Sequence, residues 1–328
     1  MKQLYLECYS GISGDMTVGA LLDLGASEEK LREVLASVPE QGFEIRISKV
    51  AKSGIMATDF DVILEEDNHD HDMAYLFGRD EEIHEHHHHH HHDDEDHDHD
   101  HEHHHHHHDH DDEDHDHHHH HDHDDDHDHH HDHDHDHDHD HDHDHGHHHH
   151  HDHVHRSLPD VNRILDETKM TEGARAIAKE IFLCVARAEA FVHGKPLEEV
   201  HFHEVGAIDS IVDIISIAVL FDDLKEKEGF SEVVVPVLYE GCGTIRCQHG
   251  VIPIPVPAVT AIARESGLRL HLLPDEGEFV TPTGAAACAV LRTTEKLPDE
   301  FRVLKTGLGA GKRAYRRAGV TRMHLIEA

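Results

Sequence analysis

The chain has 328 residues, of which 70 are acidic, 28 are Lys or Arg and 51 are His, for a formal net charge of −42. So strong an acidic balance excludes nucleic acid and anionic membrane as partners, and no run reaches the roughly 20 apolar residues of a membrane helix. Five cysteines, an odd number without Cys-x-x-Cys spacing, exclude a disulfide framework and a thiolate zinc centre, leaving Cys242 and Cys247 as candidate soft ligands.

The averages hide two different materials. Residues 69–155 contain 45 of the histidines, 32 acidic residues and a single Arg, a net of −31, so the remaining chain carries −11. Outside that tract the hydrophobic share rises to roughly 46%, ordinary for a folded domain. We therefore expect an N-terminal α/β segment over 1–66, a disordered His/Asp/Glu-rich metal-binding insert over 67–155, and a helical and α/β segment over 156–328 that completes the core. The fold class expected is α/β, with α+β as the alternative: a mixed sheet with helices, interrupted by the insert. The N-terminus has no apolar run of signal-peptide length, which points to the cytoplasm.

Taken in order, Leu4-Tyr5-Leu6-Glu7-Cys8 reads as a strand, and Ser10-Gly11-Ile12-Ser13-Gly14-Asp15-Met16 as a Gly-rich loop entering a helix that runs to Leu24. Such a loop presents N–H groups at a helix start, so Ser13, Gly14 and Asp15 are candidates for phosphate binding; a tight turn with a first-turn acid explains the spacing as well. A short helix over 28–37 and strands near 43–50 and 58–64, with a turn at Ser53-Gly54, follow.

The tract has no apolar face to offset the entropy of ordering it, and disorder is the expectation. Imidazoles such as His86, His103, His117, His135 and His147, interleaved with carboxylates, suit nickel, zinc or copper, and at about six ligands per ion the tract can hold on the order of ten metals.

Beyond it, Ser157 or Asp160 is positioned to cap a helix ending at Glu167, and residues 172–192 form a strong amphipathic helix. Next comes His201-Phe202-His203-Glu204-Val205-Gly206-Ala207-Ile208-Asp209-Ser210-Ile211-Val212-Asp213. In an extended His201-Phe202-His203 both imidazoles share one face. From Ala207 to Leu224 the pattern is a helix apolar nearly all round, broken by Asp209, Asp213 and Ser216 along one stripe. A polar stripe on a buried helix must find partners, so His201, His203, Glu204, Asp209 and Asp213 are candidate metal ligands; a first-turn acid and satisfied core histidines are the bland alternative.

Val233-Val234-Val235 reads as a buried strand, and the prolines of 250–257 hold that stretch extended until a helix begins near Ala258. Thr281 is placed as the N-cap of a helix with Pro282 first, making Thr283 and Gly284 a second candidate anion site that capping explains equally well. Gly307-Leu308-Gly309-Ala310-Gly311-Lys312-Arg313 reads as a flexible basic loop, with Lys312 and Arg313 as phosphate contacts.

The motifs at 11–16, 201–213, 281–286 and 307–312 together resemble the LarC-type nickel insertion proteins, which finish the nickel-pincer cofactor of lactate racemase. The resemblance implies delivery of Ni(2+) to pyridinium-3,5-bisthiocarboxylic acid mononucleotide, with CTP consumed beside a divalent ion, to give the (SCS)Ni(II) complex in a chelatase-type lyase reaction. It also implies a cofactor-dependent apoenzyme as recipient, and we expect a homo-oligomer. Two departures stand out: the insert is much longer than is usual, and a C-terminal family domain linked to nucleotide and metal binding is absent after Ala328. Other readings are a nickel storage protein without turnover, and a metal-dependent phosphate-ester hydrolase.

Overall fold

The computed structural model describes residues 1–64, 156–202, 206–247 and 249–328. The expected insert lies outside the described residues, as do His203 and Glu204. In chain order the elements are β1 (Lys2–Glu7), α1 (Gly14–Leu24), α2 (Glu28–Leu35), β2 (Phe43–Lys52), β3 (Ile55–Leu64), β4 (Arg156–Ser157), α3 (Leu158–Glu167), α4 (Glu172–His193) and β5 (His201–Phe202). They continue with α5 (Ile208–Glu228), β6 (Glu232–Val234), β7 (Leu238–Cys242), β8 (Thr244–Cys247), β9 (Gly250–Pro253), α6 (Pro257–Ser266), β10 (Leu270–Glu276), α7 (Pro282–Leu291), β11 (Arg302–Ala310) and β12 (Val320–Glu327). Met1–Glu82 and His151–Ala328 make one unit; the second, Ile83–His150, has no described residue.

Six strands form a mixed sheet in the order β2-β3-β11-β12-β1-β6. The first and last strands of the chain are antiparallel neighbours, Lys2 opposite Glu327 through Glu7 opposite Arg322, so the segments before and after the insert share one sheet. On its other side β1 runs parallel to β6, with the helices α1 to α5 inside the crossover. Both faces of β1 are covered: Leu4 and Leu6 join the main core, while Tyr5 packs with Val234 and Ile326 under Leu297 and Phe301. That two-sided burial is why β1 reads as a continuous apolar run rather than an alternation.

Helix α1 lies directly on the sheet. A Cβ on Gly19 would overlap the Thr58 carbonyl oxygen, and one on Gly309 or Gly307 would overlap the Met16 or Ala20 carbonyl. These glycines allow backbone to meet backbone. Here the structure corrects the sequence reading of 307–313 as a flexible loop: Gly307 and Gly309 lie within β11, paired to Met323 and Thr321 of β12. Their service is closeness, not freedom, since neither has a positive φ.

Helix α5 packs against α1, α2 and α4, and Ile211, Val212, Ile214, Ile215, Ile217, Ala218 and Leu220 are fully buried. At about 1.5–3 kcal/mol for each large aliphatic side chain, this helix anchors the core. Of its polar stripe, Ser216 is satisfied within the helix, donating to the Val212 carbonyl at 2.6 Å. The local signals elsewhere hold: Ser157 and Asp160 form a reciprocal capping box, Thr171 caps α4, and β2 turns into β3 through Ser53 (φ 50°) and Gly54 (φ 81°), the primed geometry that suits a hairpin.

Candidate functional site

Three helix starts meet at one place. The loop between β1 and α1 is tied to the chain entering α7, with Ile12 N donating to Phe279 O at 2.8 Å and Thr281 N donating to Ile12 O at 3.1 Å. Gly11, at φ +84°, has the Phe279 carbonyl where a Cβ would stand, and Gly284 has the Ile12 carbonyl there. Thr281 caps α7 by accepting from Gly284 N at 3.2 Å, and Thr283 is buried beside it. Beneath this junction the fully buried Glu240 accepts from Gly241 N and Phe279 N, both at 2.7 Å, and from Val280 N at 3.2 Å. Burial outweighs those three donors and pushes its carboxyl up to about 7.

The third start is that of α5. Its Asp213 rests against Gly14, where any Cβ would overlap the carboxylate. Asp15, in the first turn of α1, accepts from the Ser13 hydroxyl and from Met16 N at 2.8 Å. From β3, Asp59 and Asp61 reach Lys312 Nζ at 2.7 Å and 3.4 Å. Burial, then the charges of Asp15 and Asp209, hold the Asp213 carboxyl well above the usual range, with Lys312 opposing. Asp15 is raised too, by burial first, against the Ser13 bond, Lys312 and the Met16 N–H.

Among the described residues, Asp15, Asp59, Asp61 and Asp213 thus share the field of Lys312, with Asp209 adding its charge at Asp213, and the electrostatics favour a cation over a second anion. At the α1 start Asp15 already accepts from Met16 N, and the Asp213 carboxylate packs on Gly14. Arg313 stands next to the junction but is engaged: its Nη1 lies 2.6 Å from Glu278 Oε2 and 3.1 Å from the Glu278 carbonyl, with Tyr315 closing over both.

Of the residues singled out in sequence, Ser13, Gly14, Asp15, Asp209, Asp213, Thr281, Thr283, Gly284 and Lys312 are brought together. His201 is not among them; it is exposed on β5 opposite Ser157, within the field of Asp160. The same small sheet holds Arg156, whose guanidinium donates to the Gly206 carbonyl at 2.7 Å and pairs with Glu40 at 2.9 Å, anchoring the chain as it enters α5. His203, Glu204 and the tract histidines lie outside the described residues. Asp59, Asp61 and Glu240 were missed in sequence. The first two had a signal, charges at alternate positions flanking the buried Phe60; Glu240, inside a short strand, had none. Among the described residues no three His, Cys, Asp or Glu side chains are arranged to hold a metal ion as they stand, and no helix is long and apolar enough to cross a membrane.

Comparison with known proteins adds the following. The family profile described as nickel insertion protein matches residues 4–328. A pyridinium-3,5-bisthiocarboxylic acid mononucleotide nickel insertion protein of Alkaliphilus metalliredigens is 39% identical over 327 residues, 99% of this chain and 61% of the relative. Proteins of the same name from Clostridium acetobutylicum and Acetivibrio thermocellus are 35% and 32% identical, over 100% and 95% of this chain and 64% and 57% of their own lengths. The chain therefore spans about three fifths of the length of these relatives. No solved structure matches. With the four sequence motifs, the mixed α/β fold and a profile match that runs through almost every residue, this chain belongs to the nickel insertion protein family.

Proposed function

We propose that this chain takes part in inserting nickel into pyridinium-3,5-bisthiocarboxylic acid mononucleotide, with nickel as cargo and the mononucleotide as acceptor. The observation that carries the reading is the junction of the α1, α5 and α7 starts, where Asp15, Asp209 and Asp213 gather beside Lys312. Carboxylate oxygens hold a borderline divalent ion without trapping it, and softer sulfur donors of an acceptor replace them favourably. Forming the nickel–carbon bond of an (SCS)Ni(II) product displaces one ring proton, and the carboxylates that release the ion are the bases at hand to take it. With a bound divalent ion offsetting the carboxylates, the capped α7 start and Lys312 supply the polar contacts for the acceptor's phosphate. In this reading His203 and Glu204 help to receive the ion, and the His tract gathers it from solution.

CTP use with a divalent ion, the lyase class, a cytoplasmic location and hand-over to a cofactor-dependent apoenzyme belong to the same proposal. We assign CTP chemistry to the part of the longer relatives that this chain does not span, which makes that part, as a domain or a separate chain, the expected partner. The test is incubation of the protein with acceptor, Ni(2+) and CTP, with and without that part supplied from a relative, following the acceptor's mass. Gain of one nickel by the acceptor is expected when both parts are present. Nickel retained on the protein with the acceptor unchanged would overturn the proposal in favour of storage.

A further inference from the structure

A second set of ligand-type side chains belongs to α4 and the β8–β9 hairpin. Glu189 and His193 stand at i, i+4 on the last turns of α4, with Glu189 Oε2 3.2 Å from His193 Nε2. Facing them is the β8–β9 hairpin, where Cys247 Sγ lies 3.8 Å from His249 Nδ1. The two pairs touch through their imidazoles, whose centroids are 5.0 Å apart. All four side chains line one cleft of about 330 Å3, walled by Ile245, Ile252 and Val256 and bounded at its other side by Glu278 and Pro282.

These spacings can be set against those that one shared ion imposes. A four-coordinate ion with bonds of about 2.1 Å to nitrogen and oxygen and about 2.3 Å to sulfur separates N from O by about 3.4 Å, and S from N by about 3.6 Å. It places two imidazole centroids about 5 Å apart. The two donor–donor contacts each match one edge of that polyhedron to within a few tenths of an ångström, and the spacing of the imidazole rings agrees with it. A hydrogen-bonded Glu–His pair and a thiol beside a histidine explain the edges one at a time, but not their meeting in one apolar-walled cleft. We propose that Glu189, His193, Cys247 and His249 form a metal site for a borderline divalent transition-metal ion, closed by rotation of these side chains within the cleft. The donor set of one thiolate, two imidazoles and one carboxylate suits nickel or zinc and disfavours magnesium or calcium. The inference does not depend on the insertion reading, because an ion can be held here whether or not it is later transferred.

Metal taken up by the His tract does not confuse this readout, because the five cysteines of the chain all lie outside it and a thiolate-to-metal signature reports on the folded part alone. The full chain is titrated with Ni(2+) past saturation of the tract while near-ultraviolet sulfur-to-nickel charge-transfer absorption is followed. We expect the band in the parent and in Cys242→Ser, its loss in Cys247→Ser, and a weakened or shifted band in His193→Ala and His249→Ala. Absence of the band in the parent, or its survival in Cys247→Ser, overturns the site. Should Cys247→Ser not fold, alkylation of the parent mapped to Cys247 decides: nickel is expected to slow it severalfold, and an unchanged rate overturns the site. No acceptor is present in either assay, so failure here and failure of cofactor maturation are read separately.

Discussion

Replacing Glu240 by Gln should change the stability of this protein with a pH dependence that only a buried, uncharged carboxyl explains. Glu240 is fully enclosed, faces three backbone N–H donors and holds the segment that ties α7 to the α1 loop. Its carboxyl moves from the ordinary 4.5 to about 7 on folding, because desolvation outweighs the donors. At about 1.4 kcal/mol per factor of ten this corresponds to about 3 kcal/mol. The folded value lies above the unfolded one, so this stabilisation is fully present below pH 4.5 and is lost as pH rises through 7. About 2.5 kcal/mol of it falls between pH 5 and pH 8. Gln keeps an acceptor oxygen for the same donors and cannot ionise. The unfolding free energy of Glu240→Gln minus that of the parent, from urea titrations, should therefore rise by about 2.5 kcal/mol over that range. Titration of the His tract is common to both proteins and cancels in the difference. A difference that stays flat with pH would show that the three N–H groups keep Glu240 ionised and that the burial argument is wrong. Glu240→Ala should lose stability at every pH, because each orphaned donor costs about 1–3 kcal/mol.

Gly14→Ala places a methyl group in the Asp213 carboxylate and should lower stability by about 1–3 kcal/mol in thermal unfolding; an unchanged melting temperature would show that α5 does not press on α1 there. Arg313→Ala leaves the buried Glu278 carboxylate without its cation and should cost about 3–5 kcal/mol by urea unfolding, whereas a loss under 1 kcal/mol would mean the pair is solvated. Deleting residues 69–155 should cut the nickel bound per chain severalfold by elemental analysis, yet preserve the near-ultraviolet circular dichroism of the core; loss of that signal would show that the tract supports the fold.

What could be read from the sequence followed the strength of the local signals. Helix caps at Ser157 and Thr281, the amphipathic α4 and the nearly all-apolar α5 are decided within a few residues, and they appear where expected. The strand β11 was misread because Gly307 and Gly309 carry the same letters whether they serve flexibility or close packing, and only the presence of α1 across them decides. Strands β7, β10 and β12 went unread, the first being short, the second irregular in its pairing, and all three set by partners far away in the chain. The candidate site was half legible. Asp209 and Asp213 announced themselves as acids on a buried helix, and Ser13 to Asp15 as a loop at a helix start, but their meeting depends on the α1–α5 packing. Asp59 and Asp61 join only because β3 runs beside β11, which no local pattern encodes.

On our proposal, nickel reaches its acceptor at the junction of the three helix starts. Asp213→Asn keeps the shape of the side chain and relieves its crowding with Asp15 and Asp209, so it should melt at or above the parental temperature. The direct measurement is the rate at which this variant loads nickel onto pyridinium-3,5-bisthiocarboxylic acid mononucleotide at saturating nickel, beside the parent. We expect a folded variant whose rate falls by at least tenfold while bulk nickel binding is unchanged. A folded variant that matures the acceptor at the parental rate would contradict it.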